Sequence, residues 1–243
     1  MEGVVSPIHR KDAMRHLRPL LLAAVTAAAV AAVPATASAS GPYEPRYEVT
    51  ITNLTPTLSA TPGSQPFSPP LVAVHRRSAD VVEPGTPAGT GVEAIAEDAI
   101  NGPLQDTLNG LKPVDTAFTV AGGPIPSAAT RAFTFSAKPG FNRLSVLSMI
   151  VNTNDGFWAA DSIKLRHRPQ THYLYAYDAG TELNDELAGN IPGPCCGDGD
   201  REGTPEGGVV TMHRGIAGVG DLDPDDYGWG LAPVAKLDIK RVG

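Results

Sequence analysis

Cysteine is nearly absent. The 243-residue chain has two, side by side at Cys195-Cys196. Neighbours cannot tie distant elements together, so this is no disulfide scaffold and its core must hold by packing. A vicinal disulfide, two free thiols and an intermolecular bridge all fit the pair. A zinc role finds no support, because no His or further Cys lies at ligand spacing. Catalytic signatures are missing too. There is no G-x-S-x-G elbow, S-x-x-K, H-E-x-x-H or G-x-x-x-x-G-K-[ST] loop, which removes the readily recognised serine, zinc and phosphate-loop enzymes. Cations are scarce: 19 Lys and Arg stand against 26 Asp and Glu, a formal net charge of −7. Such a chain lacks the basic surface that phosphates require, so no nucleic-acid partner is expected. Acidic loops instead suit hard cations. No run after residue 33 has the ~20 apolar residues of a membrane span.

The amino terminus does carry a pattern. Residues 9–18 hold Arg10, Lys11, Arg15 and Arg18 against Asp12. Residues 19–33, PLLLAAVTAAAVAAV, are apolar and uncharged, and Ala37-Ser38-Ala39 fits a small-x-small cleavage site. This order predicts a secretory signal peptide over 1–39, with Met1 or Met14 as the start. The mature part, 40–243, then works outside the cytoplasm, either secreted or in the cell envelope. It has 15 basic and 24 acidic residues, a balance of −9. Its length suits one domain.

That part reads as short strands between Pro- and Gly-rich connections. Tyr47, Val49 and Ile51 alternate with polar residues, and LVAVH (71–75) is a short apolar strand. VDTAFTV (114–120), TRAFTFSA (130–137), RLSVLSMIVN (143–152), DSIKLRH (161–167) and HYLYAYDAG (172–180) follow, each punctuated by Gly, Pro or Asn. VAKLDIKRV (234–242) closes the chain, and the slip between Val234 and Leu237 predicts a bulge. One helical region is expected over 91–111, with Val92, Ile95, Ala96 and Ala99 on one face and a break at Asn101-Gly102-Pro103. Residues 183–208 read as a long surface loop. The expected fold is an all-β antiparallel sandwich with one or two short helices and long loops.

Carboxylates carry the chemical signal. Asp155, in Thr153-Asn154-Asp155-Gly156-Phe157, ends a strongly apolar strand. Asp178, in Tyr177-Asp178-Ala179-Gly180, ends another. Acids at strand ends face the loops at one end of a sandwich, and several converging there repel unless a cation lies between them. Taken singly, each Asp also suits a turn that it caps through its own backbone. Asp221-Leu222-Asp223-Pro224-Asp225 begins like a calcium loop, but Asp226 stands where glycine is required and Ala232 where glutamate is. Asp198-Gly199-Asp200 has no supporting pattern. His75 ends an apolar strand and reads as a hydrogen-bonded core or rim histidine. His167 and His172 flank a Pro-containing turn and read as solvated.

YEVTITNLT (47–55), FSPPLVAVH (67–75), IAEDA (95–99), LSVLSMIVNTNDGFWAADSIKL (144–165), YAYDAGTELN (175–184), HRGIAGVGDL (213–222) and PVAKLDIKRV (233–242) together resemble the spondin amino-terminal domain. That family includes modules of F-spondin and mindin and many secreted bacterial proteins. The resemblance spans essentially the whole mature chain. It implies a C2-like sandwich with a calcium ion held among loops at one end. The implied ligands are Glu97, Asp155 and Asp178, with Asp161 and Glu182 close enough in sequence to help. The animal members carry further modules, and their matrix and guidance roles are not expected of this domain. Cys195-Cys196 has no counterpart in them.

The function expected on this basis is a secreted, non-catalytic calcium-binding module for adhesion or cell-envelope binding, with an extracellular protein or glycan as partner. A metal-dependent hydrolase on a sandwich scaffold and a C2-like membrane-surface module are the alternatives.

Overall fold

The computed structural model describes residues 43–57, 65–197 and 202–243. The expected signal segment and the Asp198-Gly199-Asp200 motif lie outside the described residues. The chain divides into two units, Met1–Ala39 and Ser40–Gly243, and only the second is described below.

The strands are β1 (Arg46–Asn53), β2 (Leu71–His75), β3 (Val114–Thr119), β4 (Thr130–Ser136), β5 (Arg143–Met149), β6 (Gly156–Lys164), β7 (Gln170–Leu174), β8 (Ala176–Asp178), β9 (Thr211–Met212) and β10 (Ala235–Arg241). Two helices, α1 (Thr90–Asp98) and α2 (Gly102–Asn109), lie between β2 and β3, and a four-residue α3 (Pro224–Tyr227) precedes β10. The strands form two antiparallel sheets, of order β4-β1-β10-β7 and β3-β2-β5-β6-β8-β9. The fold is an all-β sandwich.

The main core lies between the sheets. Val49, Ile51, Leu237 and Ile239 of the four-stranded sheet cluster with Val72, Val74, Leu144, Val146 and Trp158 of the other. A second apolar cluster covers the far face of the six-stranded sheet. There Leu71, Ala73, Leu147 and Phe157 meet Val92, Ile95, Leu104 and Leu108 of the helices. A strand covered on both faces needs no polar alternation. LVAVH is accordingly buried at all five positions, whereas β1 alternates.

Three details differ from the sequence reading. Residues 156–160 are strand rather than turn, so β6 starts at Gly156 and Asp155 sits in the hairpin connection from β5. Its run GFWAA lacks alternation because both faces are buried. HYLYAYDAG is two strands, not one: β7 pairs with β10, while β8 pairs with β6 in the other sheet. The chain changes sheets at Tyr175. β10 has no bulge against β1; Ala235, Leu237 and Ile239 face inward, and the buried Val234 precedes the strand.

Candidate functional site

The β5–β6 connection, Ile150–Asp155, organises one end of the molecule. Its shape is local. Thr153 Oγ1 donates to the Ile150 carbonyl at 2.6 Å and accepts the Gly156 N–H at 2.9 Å. A Cβ at Gly156 would lie 2.6 Å from that hydroxyl, so the position requires glycine. Three buried side chains of the connection each hold a different part of the segment that follows β8. Asn152 Oδ1 accepts the Cys195 N–H at 3.2 Å. Asn154 accepts the Glu186 N–H and donates to Asp185 Oδ1. Asp155 Oδ2 accepts the N–H groups of Thr181 (2.8 Å) and Glu182 (3.1 Å) and the Thr181 hydroxyl (3.2 Å).

Around Thr181 the acids gather. Asp155 is fully buried and Glu182 is 5% exposed. Among the described residues, Asp155 Oδ1 and Glu182 Oε2 are buried with no hydrogen-bond partner. Glu182 Oε1 accepts the Gly203 N–H at 2.5 Å, and the Gly203 backbone lies so close that a Cβ there would meet Oε2 at 2.5 Å. Burial, with the Asp178 charge adding to it, pushes the Asp155 carboxyl up to about 6. Burial also pushes Glu182 up to about 7, helped by Glu97, Asp155 and Asp98 and opposed by the Gly203 hydrogen bond. The half-buried Glu97 is raised by burial and by Glu93, Asp98 and Glu202, against a hydrogen bond from Thr181.

Glu97 and Asp98 owe their place to the end of α1. Ala99 adopts a left-handed conformation (φ 59°), and its N–H bonds back to Ile95. The last turn of α1 carries no basic residue. Two acids therefore stand at the negative end of the helix dipole, where a cation is favoured.

The structure brings Glu97, Asp155 and Glu182 together around Thr181, with Asp178 on their flank. Asp178 serves its own turn: Oδ1 accepts the Gly180 N–H at 2.7 Å, and Oδ2 accepts Asn184 Nδ2 at 2.7 Å. Asp161 is engaged elsewhere. It lies six residues beyond Asp155, roughly 20 Å along a strand. There Oδ1 accepts Ser145 Oγ at 2.7 Å and the Val81 N–H at 3.2 Å. Asp98, Thr181 and Glu202 were missed from sequence. Thr181-Glu182 directly after the Y-D-A-G turn was the available signal for one of them.

The DLDPD motif is structural. Asp223 caps α3 by accepting the Asp225 N–H, and Asp221 accepts the Ala188 N–H. His75 is the core histidine expected, fully buried, with Nε2 2.7 Å from Ser145 Oγ. His167 is exposed, as read from sequence, while His172 is half-buried.

Among the described residues, no three His, Cys, Asp or Glu side chains stand as a ready-made metal-ligand set. The donor chemistry nonetheless fits one kind of ion. Buried carboxylate oxygens without partners, close to further acids, suit a hard cation that takes oxygen ligands. Zinc, which prefers nitrogen and sulfur, finds neither among these groups.

No known family model matches the chain, and no curated protein matches it.

Proposed function

We propose that this chain is a non-catalytic, calcium-binding β-sandwich module of the spondin amino-terminal type, exported and used to bind an extracellular protein or glycan. One observation carries the calcium reading. Asp155 and Glu182 each keep a buried carboxylate oxygen with no partner among the described residues, beside Glu97 and Asp98. An ionised carboxylate in that position costs several kcal/mol unless protonated or paired with a cation. A calcium ion taking Asp155 Oδ1, Glu182 Oε2 and Glu97, with waters and carbonyls completing the shell, removes that cost. Asp178 holds the Gly180 turn and adds negative field. The export expected from residues 1–39 agrees with this ion, since extracellular calcium modules work at Kd values of about 10⁻⁴–10⁻³ M. The order of the sequence blocks supports the family.

The test is thermal unfolding of the wild-type chain and Asp155→Asn, each in 10 mM calcium and in chelator. The wild type is expected to gain about 3–10 °C from calcium, the range that about 10- to 100-fold saturation gives a domain of this size. Asp155→Asn should gain little. Equal melting temperatures for the wild type in both conditions would end the calcium reading.

A further inference from the structure

Cys195 and Cys196 are joined as a disulfide between neighbours. A bridge at a sequence separation of one closes no chain loop. It therefore gives none of the loop-entropy stabilisation by which disulfides act on the unfolded chain. What it fixes is local. The N–H groups of Cys196 and Gly197 both donate to the Gly193 carbonyl, at 3.0 and 3.1 Å, closing a tight turn. That turn lies directly on the β5–β6 connection. Besides the Cys195 N–H bond to Asn152, Gly193 sits so near that a Cβ on it would be 2.2 Å from Asn152 Oδ1 and 2.7 Å from the Val151 carbonyl oxygen. Both cysteines are half-buried, packed on the main core with one side open to solvent. Asn152 is fully buried and stands three residues before Asp155.

We propose that Cys195–Cys196 is a thiol–disulfide exchange site, reduced by a dithiol, whose redox state sets the order of the 152–155 connection. A thiolate of the dithiol attacks one of the two sulfurs. The Cys–Cys bond breaks, a mixed disulfide forms, and the other cysteine leaves as a thiolate that takes a proton. The reductant's second thiolate then attacks the mixed disulfide. The reductant ends as its own disulfide, two electrons pass to the chain, and two protons complete its two thiols. The reverse step uses the disulfide of a monothiol as oxidant. One cysteine thiolate attacks it and releases one monothiol, and the neighbouring thiolate then expels the second. The pair reoxidises without a third cysteine while the oxidant is reduced to two thiols. Opening the disulfide ring frees the backbone torsions on either side of the 195–196 peptide bond and both side chains. The turn over Gly193 then loosens its hold on Asn152, and through it on Asp155. The effect on cation affinity rests on the calcium reading above; the exchange chemistry and the loosening do not.

The experiment uses the full chain, oxidised, under native conditions with excess dithiol. Thiols are counted, amide hydrogen exchange is followed, and calcium is titrated before and after reduction. The expected results are two thiols released without loss of the folded melting transition, and faster exchange at 152–155 and 193–197. Calcium affinity should fall roughly five-fold, the lower end of coupling between linked sites. Cys196→Ser treated with oxidised glutathione should hold a stable mixed disulfide at Cys195, while the reduced wild type treated likewise returns to its own disulfide and retains no adduct. No thiol release without unfolding would overturn the proposal, as would release with unchanged exchange at 152–155. If the oxidised chain binds no calcium, the proposed function fails, while thiol count and exchange still decide this inference.

Discussion

The β5–β6 hairpin carries an acid near each end, Asp155 buried and Asp161 half-buried, and the two are treated differently. At one end Asp161 accepts from Ser145 Oγ and the Val81 N–H, Ser145 Oγ also takes the Ser162 N–H at 2.9 Å, and His75 Nδ1 donates to the Arg76 carbonyl at 2.8 Å. The sheet is bent to make this possible. Pairing shifts register between Leu144 and Val146 and again between Val74 and His75, and Ser162 sits at φ 52°. Bulges of this kind re-aim side chains at the cost of ladder bonds. At the other end the hairpin connection collects Asp155, Glu182 and Glu97, and protein groups leave two carboxylate oxygens over. In the first cluster the buried polar atoms of Asp161, Ser145 and His75 all have protein partners. In the second, two carboxylate oxygens have none among the described residues, and on the proposed calcium reading that difference separates a structural network from a binding site.

The largest expected effect is on pH dependence. Asp155 and Glu182 have carboxyls raised from 3.8 to about 6 and from 4.5 to about 7. The folded chain therefore binds protons that the unfolded chain has released. Their contribution to stability is full below about pH 4 and is lost as pH rises through 6 and 7. Without calcium, urea unfolding should show this loss as a fall on the order of 3–5 kcal/mol between pH 4 and 8. Saturating calcium should flatten or reverse the slope. A calcium-free chain equally stable at both pH values would contradict the difference between the two ends.

Next in size is the closed network. Asp161→Ala leaves the Val81 N–H without its acceptor and turns the Ser145 hydroxyl to His75 Nε2 alone, and should cost about 1–3 kcal/mol in denaturant melts. The loss should be the same with calcium and with chelator. A loss confined to calcium-loaded protein would put Asp161 at the ion instead. Smaller still is Glu97→Gln, where a half-buried acid becomes a neutral isostere. Calcium affinity should fall roughly ten-fold, or ~1.4 kcal/mol, with the chelated protein's stability little changed. An unchanged affinity in a calcium titration would remove Glu97 from the ligands.

The sandwich was legible because most strands are bounded by turn residues, and because β1 and β10 alternate as half-buried strands must. Legibility failed where burial on two faces erased the alternation, as in GFWAA at the start of β6. It failed also where one apolar run served two sheets, as at Tyr175. At the site, Asp155 and Asp178 were read from strand ends and Glu97 only through the family resemblance, and the structure gathers Glu97 and Asp155 with Glu182. Asp161 looked similar in sequence, but a strand carries it to the other end of the hairpin. The roles of Asn152, Asn154 and Thr181 depend on contacts 26 to 43 residues away, and no short window of sequence holds them.

The most direct measurement is calorimetric titration of calcium into the oxidised full-length chain at pH 7.5, beside Glu182→Gln. One site per chain is expected for the wild type, with a Kd of about 10⁻⁴–10⁻³ M and much weaker binding in the variant. No binding heat, together with no calcium-dependent rise in melting temperature, would contradict the account. Equal binding by Glu182→Gln would show that the ion lies elsewhere than the two unpartnered carboxylate oxygens.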